Sequence, residues 1–89
     1  MIRVAILGST GSIGCSALEV IRRHPEQYNV TTLAANRNVD ALAGQVSEFR
    51  PKKAVICDSS PKLPTANKAT KWERGIESIV EAAADPDVD

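Results

Sequence analysis

The sequence carries no surplus charge: 11 basic residues balance 11 acidic ones. A balanced chain has no electrostatic footprint for nucleic acid or an anionic membrane. No apolar run approaches the roughly 20 residues that a membrane helix needs. The opening Met1-Ile2-Arg3-Val4 passes directly into an apolar run and has neither signal-peptide nor transit-peptide composition, so a cytoplasmic protein is expected. Cysteine is scarce: Cys15 and Cys57 are the only two, too few for a disulfide framework and without zinc spacing. Both are expected as buried or half-buried structural thiols. Cys15 falls in the first turn of a helix, where the macrodipole can lower a thiol pKa. The single histidine, His24, precedes a proline at a helix end, a capping or surface position rather than that of a base. Asp58, Asp85, Asp87 and Asp89 form no readable metal motif. At 89 residues the chain holds one core, not two domains.

The hydrophobic pattern predicts alternating strands and helices. Val4-Ala5-Ile6-Leu7 is a short continuous apolar run, the mark of a strand buried on both faces. A helix follows over Ser12 to Arg23, with Ile13, Ala17, Val20 and Ile21 as its apolar stripe and Leu18 beside them. Pro25 stops it. Tyr28 to Ala35 is a second strand, rich in β-branched Val30, Thr31 and Thr32. Asn38 is a good N-cap for a second helix over Val39 to Phe49, whose stripe is Val39, Leu42, Ala43, Val46 and Phe49. Lys53 to Cys57 is a third strand. Pro61-Lys62-Leu63-Pro64 reads as a loop, and Thr70-Lys71-Trp72-Glu73 fits a capping box, although Gly75 follows soon after. Trp72 is expected as a surface or edge packing residue. A last helix runs over Ile76 to Ala84, with Ile76, Ile79, Val80 and Ala83 on one face and Glu77 and Glu81 on a solvated one. This order predicts an α/β fold: a Rossmann-like doubly wound parallel sheet, with strand 2 between strands 1 and 3, truncated after the third strand and the following helix.

The chemistry lies between the first strand and the first helix. Gly8-Ser9-Thr10-Gly11-Ser12-Ile13-Gly14 spaces its glycines as G-x-x-G-x-x-G, one residue off the common dinucleotide fingerprint. Gly8 lets the chain leave the strand in a tight turn. Gly11 removes a side chain where backbone must approach a pyrophosphate, and Gly14 lets the helix pack close to the sheet. The free N–H groups of the first helical turn then bind phosphate. Thr10 and Ser12 add hydroxyl donors, and Ile13 is expected on the buried helix face, within reach of the coenzyme. The end of the second strand separates NADH from NADPH. Asp or Glu there serves ribose hydroxyls, and a basic residue serves the extra phosphate. Asn36-Arg37-Asn38 stands at that place, and Arg37 can pair bidentately with a 2′-phosphate while Asn36 and Asn38 add amide hydrogen bonds. NADPH is the expected coenzyme. The plain alternative is a solvated Arg37 and an Asn38 that only caps its helix.

Along most of its length the sequence resembles the 1-deoxy-D-xylulose 5-phosphate reductoisomerase family. The resemblance rests on Ile6-Leu7-Gly8-Ser9-Thr10-Gly11-Ser12-Ile13-Gly14, Val20-Ile21 with Pro25, Leu33-Ala34-Ala35 with Asn38-Val39, Gln45, Phe49-Arg50-Pro51, Asp58, Gly75-Ile76-Glu77, and Ala82 through Asp89. Residues 59–74 match least. The resemblance implies rearrangement of 1-deoxy-D-xylulose 5-phosphate and its reduction by NADPH to 2-C-methyl-D-erythritol 4-phosphate. It also implies a divalent metal, Mg2+ or Mn2+, a sugar-phosphate substrate and a homodimer. It carries coenzyme contacts onto Thr10, Gly11, Ser12, Ile13, Arg37 and Asn38, with Asn36 where the family often has glycine. The family's catalytic, metal and substrate residues lie downstream of this sequence. On this reading residues 1–89 are the N-terminal part of an NADPH-binding Rossmann-like domain, inactive alone. A fragment of an NADP-dependent semialdehyde or acyl-phosphate reductase and a non-catalytic NADP-binding module are the competing readings.

Overall fold

The first apolar run forms β1 (Ile2–Leu7) and hands over through residues 8–11 to α1 (Ser12–Arg23). This is a computed structural model, and it describes residues 2–58, 70–85 and 88. β2 (Tyr28–Ala35), α2 (Val39–Phe49) and β3 (Lys53–Ile56) follow, with bounds close to those the pattern predicts. Next come β4 (Lys71–Arg74) and α3 (Ile76–Ala83). The four strands form one parallel sheet in the order β1-β2-β3-β4. Strand 2 therefore lies between strands 1 and 3 as expected.

β4 is a correction. The capping-box reading of Thr70-Lys71-Trp72-Glu73 fails, and the sheet continues past a third strand. Thr70 is spent elsewhere: its hydroxyl donates to the Pro51 carbonyl at 2.6 Å. The Lys71 N–H donates to Lys52 O at 3.0 Å, which starts the parallel ladder on β3. A salt bridge of 3.2 Å between Lys53 and Glu73 links the two strands across that ladder. Trp72 is half-buried against the core from this outer strand, as an edge packing residue should be. The expected loop at Pro61–Pro64 lies outside the described residues.

α1 and α2 pack on one face of the sheet. Leu18 and Ile21 of α1, Leu42 and Val46 of α2, and Ile6, Val30, Leu33, Ala35, Ala54 and Ile56 of the strands make one core cluster. Full burial of a side chain such as Leu42 contributes about 1.5–3 kcal/mol. The stripe of α1 is rotated from the expected one. Ile13 is 87% exposed and Val20 52% exposed, while Gly14, Leu18 and Ile21 are buried. The cause is Gly14. A Cβ there would fall 2.3 Å from Gly8 O and 2.7 Å from Ser9 Cα, so the helix docks through its glycine and not through Ile13. With about 100° between successive residues, that docking turns Ile13 outward.

Side chains of the opposite parity, Thr32, Ala34 and Val55, are also buried, so the two central strands β2 and β3 are covered on both faces. β1, expected to be buried on both faces, is instead an edge strand among the described residues, with only Ile6 buried and Leu7 46% exposed. α3 contacts both β4 and β1, which brings the chain back across the sheet to the β1 side. The side chains of Ile76 and Ile79 lie outside the description. The other two members of the expected stripe, Val80 and Ala83, are exposed.

Candidate functional site

At the carboxyl end of β1 the chain turns on Gly8 at φ +91°, a conformation that favours glycine. The N–H groups of Gly8 and Ser9 both donate to Ala34 O at 2.8 Å, which ties the turn to β2. Gly11 donates to Gly8 O at 3.2 Å and serves as the N-cap of α1, with no side chain capping the helix. The first bond inside α1 runs from the Cys15 N–H to Gly11 O at 2.9 Å. The N–H groups of Ser12, Ile13 and Gly14 precede it and have no intrahelical partner. The first turn also contains no acid. Unpaired donors and the positive end of a helix dipole, without a carboxylate beside them, suit a phosphate. Gly11, Ser12 and Ile13 are exposed around this mouth and Thr10 is half-buried. Ile13 thus stands as an exposed apolar side chain beside the donors, although not on the helix face expected for it.

Beneath the turn the structure holds a contact that the sequence pattern had not singled out. Ser9 is fully buried. Its carbonyl accepts a hydrogen bond from Gln45 Nε2 of α2 at 2.8 Å and a weaker one from Cys15 Sγ at 3.6 Å. Ser9 Oγ and Gln45 Oε1 are buried without a partner among the described residues. Such an atom typically costs about 1–3 kcal/mol. Cys15 is exposed, against the expectation of a buried or half-buried thiol, because α1 has turned its position outward; Cys57 is half-buried as expected.

The second candidate cluster follows β2. Leu7 of β1 pairs with Ala34 of β2, so the two loops leave the same end of neighbouring strands. This is where ligands sit in open α/β sheets. Asn36, Arg37 and Asn38 are exposed. The Asn36 carbonyl accepts the Asp58 N–H at 2.8 Å, and Arg37 O accepts the Val39 N–H at 2.9 Å. Asn38 does cap α2: its Oδ1 accepts the Ala41 N–H at 3.1 Å. That leaves both Nδ2 hydrogens for a ligand. Arg37 Nε lies 3.9 Å from Asp58 Oδ2, and its side chain is 70% exposed. So long and wet a pair contributes little stability. It draws the guanidinium toward the end of β3 while leaving its terminal N–H groups available. Strand order brings Asp58 to Arg37, and sequence spacing could not show it.

His24 is the exposed C-cap of α1, as its sequence context implied. At that far end of the sheet Arg22 donates to Glu48 and Glu19 and lies 5.4 Å from the centre of the Phe49 ring. The Arg22 hydrogen bond holds the Glu48 carboxyl below its ordinary value of 4.5 and raises the Arg22 pKa in turn. A cleft of about 260 Å³ opens beside them. Among the described residues no group of three or more His, Cys, Asp or Glu side chains is placed to hold a metal. No helix among them is long and apolar enough to cross a membrane.

A family profile described as 1-deoxy-D-xylulose 5-phosphate reductoisomerase matches residues 4–89. The protein of that name from Ralstonia pickettii is 43% identical over 95 residues, covering 100% of this chain and 24% of that protein. Its namesake from Cupriavidus metallidurans is 46% identical over 93% of this chain and 24% of its own. Among solved structures, the Zymomonas mobilis reductoisomerase in complex with NADPH superposes with a TM-score of 0.84. It is 41% identical and covers 92% of this chain and 23% of that one. A DOX-P reductoisomerase in complex with NADPH, fosmidomycin and magnesium gives 0.89 at 37% identity, over 100% of this chain and 23% of that one. The chain thus spans about a quarter of the length of the curated relatives it matches.

Proposed function

The chain belongs to the 1-deoxy-D-xylulose 5-phosphate reductoisomerase family, and from that premise we propose that the whole protein rearranges 1-deoxy-D-xylulose 5-phosphate and reduces the product to 2-C-methyl-D-erythritol 4-phosphate. In that reaction NADPH supplies the hydride, and a divalent metal, Mg2+ or Mn2+, polarises the substrate oxygens. Residues 1–89, the N-terminal part of the NADPH-binding domain, take the coenzyme's share of the work. The described residues contain no metal-binding cluster. On this reading, which rests on the family resemblance, the metal and substrate groups belong to other parts of the protein, and residues 1–89 alone turn nothing over. A homodimer in the cytoplasm completes the reading. The semialdehyde reductase alternative has no support from the family match.

One observation carries the assignment of the coenzyme site: three first-turn N–H groups at the glycine mouth, uncapped and with no acid beside them. Thr10, Gly11 and Ser12 hold the diphosphate there by backbone and hydroxyl donors, and Ile13 covers it with an apolar side chain. Arg37 and the Nδ2 group of Asn38 take the 2′-phosphate, with Asn36 at the margin. The donor set fits the coenzyme: N–H and hydroxyl donors line one loop, and the other presents a guanidinium with an amide, the Asp58 carboxylate meeting only the Nε side of Arg37 at 3.9 Å. The test is Arg37→Ala in the intact protein, with NADPH and NADH binding measured by coenzyme fluorescence. A charge-assisted bidentate contact is worth about tenfold to a hundredfold, so NADPH should weaken by that factor and NADH hardly at all. Equal loss for both coenzymes would overturn the assignment of Arg37.

A further inference from the structure

We infer that Gln45, far along α2 from the residues expected to touch the coenzyme, is the positioning residue that aims the Thr10 N–H into the diphosphate site. The inference rests on the reading of the glycine mouth as that site. The peptide joining Ser9 to Thr10 is trans, as are all described peptide bonds, and in a trans peptide the C=O and N–H point in opposite directions. Gln45 Nε2 donates to the carbonyl of this peptide at 2.8 Å from the buried side. Fixing the carbonyl inward fixes the Thr10 N–H outward, on the side of the unpaired α1 donors. That N–H has no partner among the described residues. The amide orientation of Gln45 is forced, since the flipped side chain would set Oε1 against a carbonyl oxygen.

Other restraints on this peptide are weak. Gly8 and Ser9 are anchored through their N–H groups to Ala34 O, upstream of the peptide in question. The second donor to the Ser9 carbonyl is a thiol at 3.6 Å, a poor hydrogen-bond donor. The Gly11 N–H closes the turn on Gly8 O at 3.2 Å, which fixes the chain path around this peptide but makes no hydrogen bond to the peptide itself. Of the hydrogen bonds made by the Ser9–Thr10 peptide itself, the one from the Gln45 amide is the strong one. The buried, unpartnered Gln45 Oε1 points the same way: the side chain is kept in a poorly solvated place where only its donor end is used.

The experiment compares wild type, Gln45→Met and Gln45→Glu in the intact protein. Gln45→Met keeps the length of the side chain, and Gln45→Glu keeps its shape; both remove the donor. NADPH binding is read by coenzyme fluorescence. Binding of adenosine 2′-monophosphate, which has the 2′-phosphate and no diphosphate, is read by calorimetry. Amide hydrogen exchange over residues 8–12 is followed in the coenzyme-free protein, with thermal melting as a check on folding. The Met and Glu variants should each weaken NADPH about tenfold, leave adenosine 2′-monophosphate binding unchanged, and speed exchange over 8–12. Loss of affinity for both ligands in equal measure would mean a general structural role and overturn the proposal, as would wild-type NADPH affinity in both variants. A Gly11→Val arm separates the two layers of the argument. Loss of NADPH binding there, with wild-type affinity in the Gln45 variants, leaves the site standing and removes Gln45 from it. Wild-type affinity in Gly11→Val removes the site and the role of Gln45 together.

Discussion

The two ends of the sheet are built to opposite rules. At the carboxyl ends of β1 and β2, donors are left open: the first turn of α1 has no cap and no acid, and Arg37 meets a carboxylate only at 3.9 Å. At the other end, charges are closed upon one another. Arg22 is held by Glu48 and Glu19 and covered by Phe49, and the last turn of α1 carries Arg22 and Arg23 at its negative pole. Both arrangements sit on the same two helices and share one core. The difference teaches that the open end keeps donors free for a ligand through incomplete local pairing, while the far end has spent its pairing on holding α1 to α2.

The largest way to break this contrast is Gly14→Ala. The new Cβ would meet backbone atoms of Gly8 and Ser9 at 2.3 and 2.7 Å, which cannot move aside as a flexible side chain would. Denaturant unfolding should show a loss of about 3 kcal/mol or more, and NADPH binding should vanish with the displaced turn. A change that left both intact would mean that α1 is not docked through this glycine. Asn38→Asp tests the open end more gently. It preserves the cap on the Ala41 N–H but removes the Nδ2 donor and adds a charge that repels a 2′-phosphate. Stability should hold within about 0.5 kcal/mol, while preference moves toward NADH. By contrast, Asn38→Ala removes the cap as well and should cost about 1 kcal/mol in unfolding experiments.

The smallest effect belongs to the closed end. Glu48→Gln should leave NADPH affinity unchanged and lower the melting temperature only slightly, because the pair is exposed. Its signature is in the pH dependence. A carboxyl held below its ordinary 4.5 in the folded state stabilises the fold above that value and stops doing so as pH falls through the lowered one. The wild type should therefore lose a little stability on acidification below about pH 4.5 that the Gln variant does not lose. Identical acid limbs in the two melting curves would count against the pairing.

How much of this was legible depended on whether local pattern and tertiary packing agreed. β1, β2, α1 and α2 were readable because their apolar residues, prolines and Asn38 cap all point to the same boundaries. β4 was not, since Lys71-Trp72-Glu73-Arg74 has no apolar run and is held by backbone pairing to β3 and by the Lys53 ion pair. The stripe of α1 was misplaced at Ile13 and Val20 because counting apolar residues gives weight to large side chains. A glycine, which contributes none, turned out to set the docking face. Of the candidate site, the two loops were visible from their motifs. Gln45 and Asp58 were not visible as members of it: each is an ordinary polar residue in sequence, and only strand order and helix packing bring them to the loops.

α2 makes a rigid calliper between the two halves of that site. Asn38 stands at one jaw and Gln45 grips the glycine turn at the other, seven positions on, or roughly 10 Å along the axis at about 1.5 Å per residue. The jaws are set to one gap by helical geometry, so the 36–38 loop can be rewritten for another nucleotide without resetting it. Inserting a single residue within the helix would swing the far jaw by about 100° and leave the turn unheld, however well the rewritten loop fits its phosphate.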